Sequence, residues 1–123
     1  MNSNRFAAVA AFLGALAVIL GAFGAHAIGD KVSAKDLETW KTGAHYHLVH
    51  AVALLTLSLW DRKGSYRVVA WLWVAGIVIF GGSLYALVLS QVKVLGAITP
   101  LGGLCLILGW LVLGVKLLKT ESD

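Results

Sequence analysis

The stretch FAAVAAFLGALAVILGAFGAHA, residues 6–27, decides which solvent this chain folds in. It carries no charged side chain and is long enough to cross a hydrocarbon core of about 30 Å, which takes about 20 apolar residues. Its ending, AHA, also has the form of a signal-peptide cleavage site, but signal peptides have apolar cores of only about 7–15 residues. Ala17, Gly21 and Ala25 form a small-residue stripe of the kind that neighbouring membrane helices pack against. The prediction is therefore a retained membrane helix.

The composition of the whole chain supports a membrane environment. Of its 123 residues, 59% are hydrophobic and 13% are charged, whereas soluble domains are about 45–50% apolar and about 25% charged. The net charge is +4, and the basic residues stand at the ends of apolar runs. This distribution favours contact with the head groups of membrane lipids and argues against nucleic-acid binding. The length predicts one domain, residues 1–123.

Four apolar runs predict an all-α, integral membrane four-helix bundle. The predicted spans are residues 6–27, 43–60, 68–89 and 99–118. The predicted connections are an extracytoplasmic loop with a short helix over 29–42, a cytoplasmic turn over 61–67 and an extracytoplasmic loop over 90–98. Thr99 is expected to cap the fourth helix, with Pro100 at its first position, where the missing N–H costs nothing.

The connection over 29–42 contains its own helix start. Ser33 followed by Asp36 resembles a capping box, so a helix is predicted from Ala34. This helix either lies on the membrane surface or runs directly into the second span. Gly43 is the expected break between the two, since glycine weakens a helix interior.

The distribution of Lys and Arg predicts the orientation. With four spans, both termini and the turn over 61–67 lie on one side of the membrane. That side carries six basic residues: Arg5, Arg62, Lys63, Arg67, Lys116 and Lys119. The other side carries four: Lys31, Lys35, Lys41 and Lys93. The excess on the first side predicts cytoplasmic N- and C-termini.

The polar residues inside the spans fall at one depth. Reading each helix in its predicted direction places six of them in the outer leaflet: His26, His47, His50, Ser83, Tyr85 and Thr99. One interpretation is that they hydrogen-bond between helices and fix the packing. The other is a small-molecule, lipid or cofactor site built on His26, His50 and Tyr85, with Tyr46, Ser83 and Thr99 beside them.

The residues present limit the chemistry of such a site. Zinc would draw on His26, His47 and His50, but no carboxylate lies within the spans to balance its charge. Haem held by His26 and His50 is a further option, since four-helix bundles hold such groups. Proton-coupled transport normally uses an intramembrane Asp or Glu, which is missing here. A hydrolytic pair of Ser83 and His50 has no acid behind the histidine. The prediction is no catalytic set, no metal and no resident cofactor.

Several motifs together carry a resemblance to a known family. They are GAFGAH at 21–26, W-x-T-G at 40–43, Tyr46 with His50, GSLY at 82–85, TPLGG at 99–103, and Gly109-Trp110. In this order and spacing the chain resembles the YgdD-like family of small bacterial membrane proteins, a domain of unknown function.

The resemblance implies a four-helix protein of the bacterial inner membrane and no established activity. It implies family-type positions at His26, Tyr46, His50, Ser83, Tyr85, Thr99 and Pro100. His45 and His47 match no histidine of the family. The predicted function is a non-enzymatic packing or interaction protein, with lipid, a homo-oligomer or a membrane-protein partner; ligand binding at the polar layer is the alternative.

Overall fold

The structure, a computed structural model, describes residues 1–122. These residues form four long helices and no strand. The helices are α1 (Ser3–Ile28), α2 (Ala34–Trp60), α3 (Arg67–Ser90) and α4 (Leu95–Ser122). The predicted all-helical, four-helix membrane bundle is thereby confirmed.

Two of the helices contain a π-helical stretch, in which each turn holds an extra residue. In α1 it covers Ile19–Gly24 and in α3 it covers Ile77–Gly81. Both helices continue in α geometry beyond it. The pattern of the sequence does not predict these stretches.

The first helix begins and packs as its sequence suggests. The Asn2 side chain accepts a hydrogen bond from the Arg5 N–H at 3.0 Å and caps the helix. Ala17 and Ala25 are buried, and a Cβ placed on Gly21 would lie 3.4 Å from the Cβ of Ala44 on α2. The small-residue stripe therefore faces α2, where it lets the two backbones lie close together.

The second helix is continuous, so the expected break at Gly43 is wrong. Ser33 accepts a hydrogen bond from the Asp36 N–H at 3.0 Å, which confirms the predicted helix start. The helix then runs without interruption to Trp60. Gly43 is buried instead against Leu84 and Tyr85 of α3, with its missing Cβ leaving the space that these side chains need. The connection between α1 and α2 shortens to residues 29–33.

The fourth helix starts earlier than predicted, and Thr99 does not cap it. The helix begins at Leu95, with backbone bonds from Leu95, Gly96 and Ala97 to carbonyls three residues before each. Thr99 lies inside the helix, where its hydroxyl donates to the Leu95 carbonyl at 3.1 Å. Pro100 therefore stands in the second turn, and its missing N–H removes one helical hydrogen bond. The connection before α4 covers only residues 91–94.

Helices α2 and α3 lie at the centre of the bundle, and α1 and α4 pack against them from outside. Contacts run from α1 to α2, from α2 to α3 and from α3 to α4. Leu54 of α2 and Val69 and Trp73 of α3 are almost fully buried, and Phe6 and Leu106 close the core from α1 and α4. Because α1 and α4 lie at the periphery, their outer faces carry many exposed apolar side chains.

Three helices are long and apolar enough to cross a membrane: Ser3–Ile28, Arg67–Ser90 and Leu95–Thr120. The second helix does not meet the same criteria. Its three histidines, His45, His47 and His50, lower its hydropathy. The predicted membrane span over 43–60 therefore stays a prediction, because the hydropathy of this helix does not support it on its own.

The turn between α2 and α3 ties the two ends of the chain together. Both Asp61 carboxylate oxygens accept backbone N–H bonds within the turn, from Ser65 and Tyr66. The Ser3 hydroxyl donates to the Asp61 carbonyl, and the Lys116 ammonium donates to the Ser65 carbonyl. The start of α1 and the last turns of α4 therefore lie at the same end of the bundle as this turn.

Candidate functional site

The polar side chains of the bundle form four separate interhelical contacts. The first links α1 to α2 at the π-helical stretch of α1. The Trp40 indole N–H donates to the Leu20 carbonyl at 2.7 Å. A Cβ on Gly24 would lie 2.9 Å from the Trp40 ring, so the indole needs a glycine there. The motifs GAFGAH and W-x-T-G therefore meet as packing partners.

The second contact joins His47 of α2 to Tyr85 of α3. The His47 Nδ1 lies 3.0 Å from the Tyr85 hydroxyl oxygen, and the Tyr85 ring also packs on the Trp40 indole at 4.8 Å between centroids. His47 is only 3% exposed, yet its Nε2 has no hydrogen-bond partner in residues 1–122. A buried polar atom left unpaired is costly, so this nitrogen calls for an explanation.

The third contact joins His50 of α2 to Trp110 of α4. His50 Nδ1 lies 2.8 Å from the Tyr46 carbonyl, which can only accept, so Nδ1 carries the proton. The Trp110 indole N–H donates to His50 Nε2 at 2.9 Å. These two partners require the neutral imidazole with its proton on Nδ1, because a second proton on Nε2 would displace the Trp110 bond.

Ser83 and Thr99 link α3 to α4 through their hydroxyl groups. The two oxygens lie 2.6 Å apart. Beside them Gly102 faces the α3 backbone so closely that an added Cβ would lie 2.7 Å from the Cα of Phe80 and overlap its nitrogen. The motifs GSLY and TPLGG are thus the two sides of one close helix crossing.

Of the remaining predicted site residues, His26 lies away from these contacts and Tyr46 lies beside His50. His26 is exposed and lines a groove between α1 and α2 with Asp30, Leu37 and Lys41. Tyr46 is 45% exposed; its backbone carbonyl accepts from His50, and its ring stacks on the His50 ring at 6.4 Å between centroids. The structure therefore brings together Ser83 with Thr99, and Tyr85 with His47. It does not bring His26 to His50 or to Tyr85.

The predicted metal and haem alternatives find no donor set here. Across the described residues 1–122, no three His, Cys, Asp or Glu side chains are grouped so that they could hold a metal ion. Both ring nitrogens of His50 are engaged by Tyr46 and Trp110, which leaves neither free for an iron or zinc ion.

Two of the residues that build these contacts were missed in the sequence, namely Trp40 and Trp110 as hydrogen-bond donors. For Trp40 the signal is a small residue on the neighbouring helix, since an indole packed there needs space, and Gly24 of GAFGAH lies opposite the Trp40 ring. Gly109 lies opposite the Trp73 indole, where an added Cβ would be 2.5 Å from Cδ1.

Fold and site together define a helical membrane protein whose intramembrane polar groups are largely paired with one another. A family model described as "Protein of unknown function (DUF423)" matches residues 20–103. The chain belongs to this DUF423 family. The resemblance seen in the motifs, to an uncharacterised membrane family, is confirmed at this level.

Curated relatives extend the similarity over most of the chain. The UPF0382 membrane protein YwdK of Bacillus subtilis (strain 168) is 46% identical over 108 residues, covering 85% of this chain and 88% of the relative. A UPF0382 membrane protein of Staphylococcus epidermidis (strain ATCC 12228 / FDA PCI 1200) is 47% identical over 106 residues, covering 85% and 87%. No solved structure matches the chain significantly.

Proposed function

We propose that this protein is a non-enzymatic interaction protein of the bacterial inner membrane, with both termini in the cytoplasm. The supporting observation is that polar side chains of the bundle form hydrogen bonds between helices. Trp40, His50, Ser83 and Thr99 all bond across helices, and Gly24 leaves the space that the Trp40 indole needs. Side chains engaged in this way hold the bundle in one shape and are not free to act on a substrate.

The proposed interaction surface is the outer face of the peripheral helix α1. Phe12 is 77% exposed and Phe23 is 71% exposed. Leu16 and Ile19 are also exposed, and with Phe12 they follow the i, i+4, i+7 spacing of one helix face. In the membrane this face meets lipid, a second copy or another membrane protein, and large aromatic side chains suit such contacts.

The proposed location is supported by the relatives and the charge pattern. The curated relatives are bacterial and are named membrane proteins. The six-to-four distribution of basic residues favours cytoplasmic termini. We further propose that α2 spans the membrane as the fourth helix, because it is enclosed by α1 and α3 and its histidines His47 and His50 are buried. The narrower YgdD-like resemblance belongs to the same proposal.

Native mass spectrometry of protein released from its own membranes tests the interaction proposal. We expect a dimer, a complex with a membrane protein or retained specific lipid, reduced in Phe12→Ala/Phe23→Ala. Val52→Ala/Leu59→Ala on the exposed side of α2 is the control, since those residues are 56% and 57% exposed. A strictly monomeric, lipid-free protein in both detergent and nanodiscs would contradict the proposal.

A second candidate function, small-molecule binding within the bundle, is favoured by one observation. It is the buried Nε2 of His47, which lacks a partner in residues 1–122 although its ring is held by Tyr85. The candidate differs from the sequence-based site in its residues, since His47 takes the place of His26 and His50.

A further inference from the structure

An apolar groove lies between α2 and α4, in the half of the bundle that ends at the turn over residues 61–66. Its volume is about 400 Å³. Trp73 of α3, which is 1% exposed, lies at its bottom, and Trp60 and Trp110 are exposed at its sides. Leu113 and Leu117 of α4 continue the apolar wall. An apolar cavity of about 150 Å³ holds a benzene molecule, so this groove has room for a longer hydrocarbon chain.

A second cavity, of about 520 Å³, lies at the end of this groove. Trp60 lines both cavities, and Lys116 and Leu117, which are consecutive residues of α4, line one each. Arg62 and Lys63 of the turn line the second cavity as well. Its volume is within the range of small-molecule sites in proteins, about 300–1,000 Å³. A charged pocket therefore adjoins one end of the apolar groove.

The charges that line this pocket are mostly positive. Asp61 is the one acidic side chain among its described lining residues, and both of its carboxylate oxygens accept backbone N–H bonds within the turn, at 2.9 and 2.8 Å. Arg62, Lys63 and Lys116 are positive, which leaves an excess of two positive charges. An anion in the pocket would balance this excess. Phosphate suits the pocket, because its oxygens accept hydrogen bonds from both Arg and Lys and can engage an Arg side chain in pairs.

Lys116 has a fixed position where the groove and the pocket meet. Its ammonium group donates to the Ser65 carbonyl and lies 4.9 Å from the centroid of the Tyr66 ring. The Tyr66 ring packs in turn on Trp60, with 5.2 Å between centroids. Neither contact neutralises the charge of Lys116, because the carbonyl and the ring are both uncharged. A positive charge beside an apolar groove matches the order of head group and chain in an anionic lipid.

The position of the turn also fits a lipid head group. Trp and Tyr side chains favour the boundary between head groups and hydrocarbon, and Trp60 ends α2 while Tyr66 immediately precedes α3. Basic pockets between membrane helices on the cytoplasmic side bind the head groups of anionic lipids. With the orientation proposed above, the pocket faces the cytoplasmic leaflet.

We propose that the groove and the pocket together bind one anionic phospholipid, with an acyl chain between α2 and α4 and the phosphate group at Arg62, Lys63 and Lys116. The site is separate from the interaction surface on α1, and only the choice of leaflet rests on the proposed function. Binding is selective, because a zwitterionic head group carries a positive charge of its own, which the three basic side chains repel.

The lipid preference of the full-length protein tests the proposal. The protein is placed in nanodiscs of equal parts phosphatidylglycerol and phosphatidylcholine with identical acyl chains, and native mass spectrometry counts the lipids that stay bound. The first lipid is anionic and the second is zwitterionic, so the two probes differ only in the head group. We expect phosphatidylglycerol to be retained at least about tenfold more than phosphatidylcholine, a difference of about 1.4 kcal/mol.

Arg62→Gln/Lys63→Gln removes two of the three positive charges. Both residues are exposed, so the exchange leaves the packed core intact. We expect the preference for phosphatidylglycerol to be lost. Lys35→Gln/Lys93→Gln is the matched control, because it removes the same charge from two exposed residues at the opposite end of the bundle, near the starts of α2 and α4. The control should keep the preference of the parent.

Thr56→Phe tests the position of the acyl chain. Thr56 is exposed and lines the groove, so a phenylalanine there fills part of the groove without entering the core. We expect most of the bound phosphatidylglycerol to be lost. Leu59→Phe is the control, because Leu59 is 57% exposed on the same helix and does not line the groove. Its lipid retention should equal that of the parent.

Several results would overturn the proposal. Equal retention of the two lipids by the parent would mean that the pocket does not read the head group. A preference that survives Arg62→Gln/Lys63→Gln, or that disappears in its matched control, would remove the pocket as the cause. Unchanged retention in Thr56→Phe would place the chain outside the groove. Phe12→Ala/Phe23→Ala should leave this lipid bound, so the interaction proposal and the lipid site can fail separately.

Discussion

His50 is the residue whose structural role is clearest. Its two ring nitrogens are used by a carbonyl and an indole, and both contacts are within the bundle. A histidine so placed fixes the position of α4 against α2. His47, three residues earlier on the same helix, has one nitrogen bonded and one left over. The two histidines therefore have different roles, although both are buried.

Trp110→Phe tests the role of His50. The variant keeps an aromatic ring but removes the N–H that satisfies His50 Nε2, so a buried acceptor is left unpaired. We expect the free energy of unfolding to fall by about 1–2 kcal/mol, measured by titration with sodium dodecyl sulfate in mixed micelles. Trp71→Phe is the control, because Trp71 is half exposed and a phenylalanine ring retains its contact with Phe6. Equal stability of Trp110→Phe and the parent would contradict the assigned hydrogen bond.

At this scale the sequence predicted that polar side chains of different helices meet, but only in part which ones. Ser83 and Thr99 do meet, and Tyr85 does face a histidine. That histidine is His47, which the sequence places in the polar layer but not among the residues of the predicted ligand site. His26 points into a different groove. The direction of a side chain around its helix depends on the π-helical stretches, which sequence periodicity does not reveal.

At the scale of the helices, the crossing of α3 and α4 depends on Gly102 more than on the adjacent Gly103. A Cβ on Gly102 would overlap the α3 backbone at Phe80, which cannot move without separating the helices. A Cβ on Gly103 would lie 3.6 Å from the Phe80 ring, an ordinary contact. The two adjacent glycines of TPLGG are therefore not equivalent.

The pair Gly102→Ala and Gly103→Ala tests this difference. We expect Gly102→Ala to lower the free energy of unfolding by about 1–3 kcal/mol, as overpacking does. Gly103→Ala should stay within about 0.5 kcal/mol of the parent, the range of substitutions that disturb no contact. The same detergent titration measures both. Similar losses in the two variants would mean that helix propensity, and not the close crossing, sets the cost.

Helix existence was easier to predict than helix ends. All four helices were expected from the apolar runs, and the Ser33 cap was placed correctly. The start of α4 was misjudged because Thr99 and Pro100 form a good start signal, while Leu95 to Ile98 carries none. Gly43 was misjudged because a glycine that weakens a helix and a glycine that makes room for a neighbour look identical in one sequence.

For the whole molecule, the turn over residues 61–66 and the connection over 91–94 should lie on opposite sides of the membrane. In a Cys105→Ala background, which removes the chain's only cysteine, we expect Lys93→Cys to react with an impermeant maleimide in intact cells. Lys63→Cys should react only after the membrane is opened, because the basic cluster beside it predicts a cytoplasmic position. Reversed labelling would invert the orientation, and labelling of both from outside would mean that α3 does not cross.

The two π-helical stretches make the packing of the bundle depend on the number of residues in each of these helices. A helix advances by about 100° per residue, so deleting one residue within Ile77–Gly81 would turn everything beyond it by that angle. Ser83 would then turn away from Thr99, Leu84 from Gly43 and Tyr85 from His47, although all of these residues would still be present. The extra residue in the π-helical stretch therefore sets how α3 is rotated beyond that stretch. Only with this residue does α3 face α2 and α4 correctly at both of its ends.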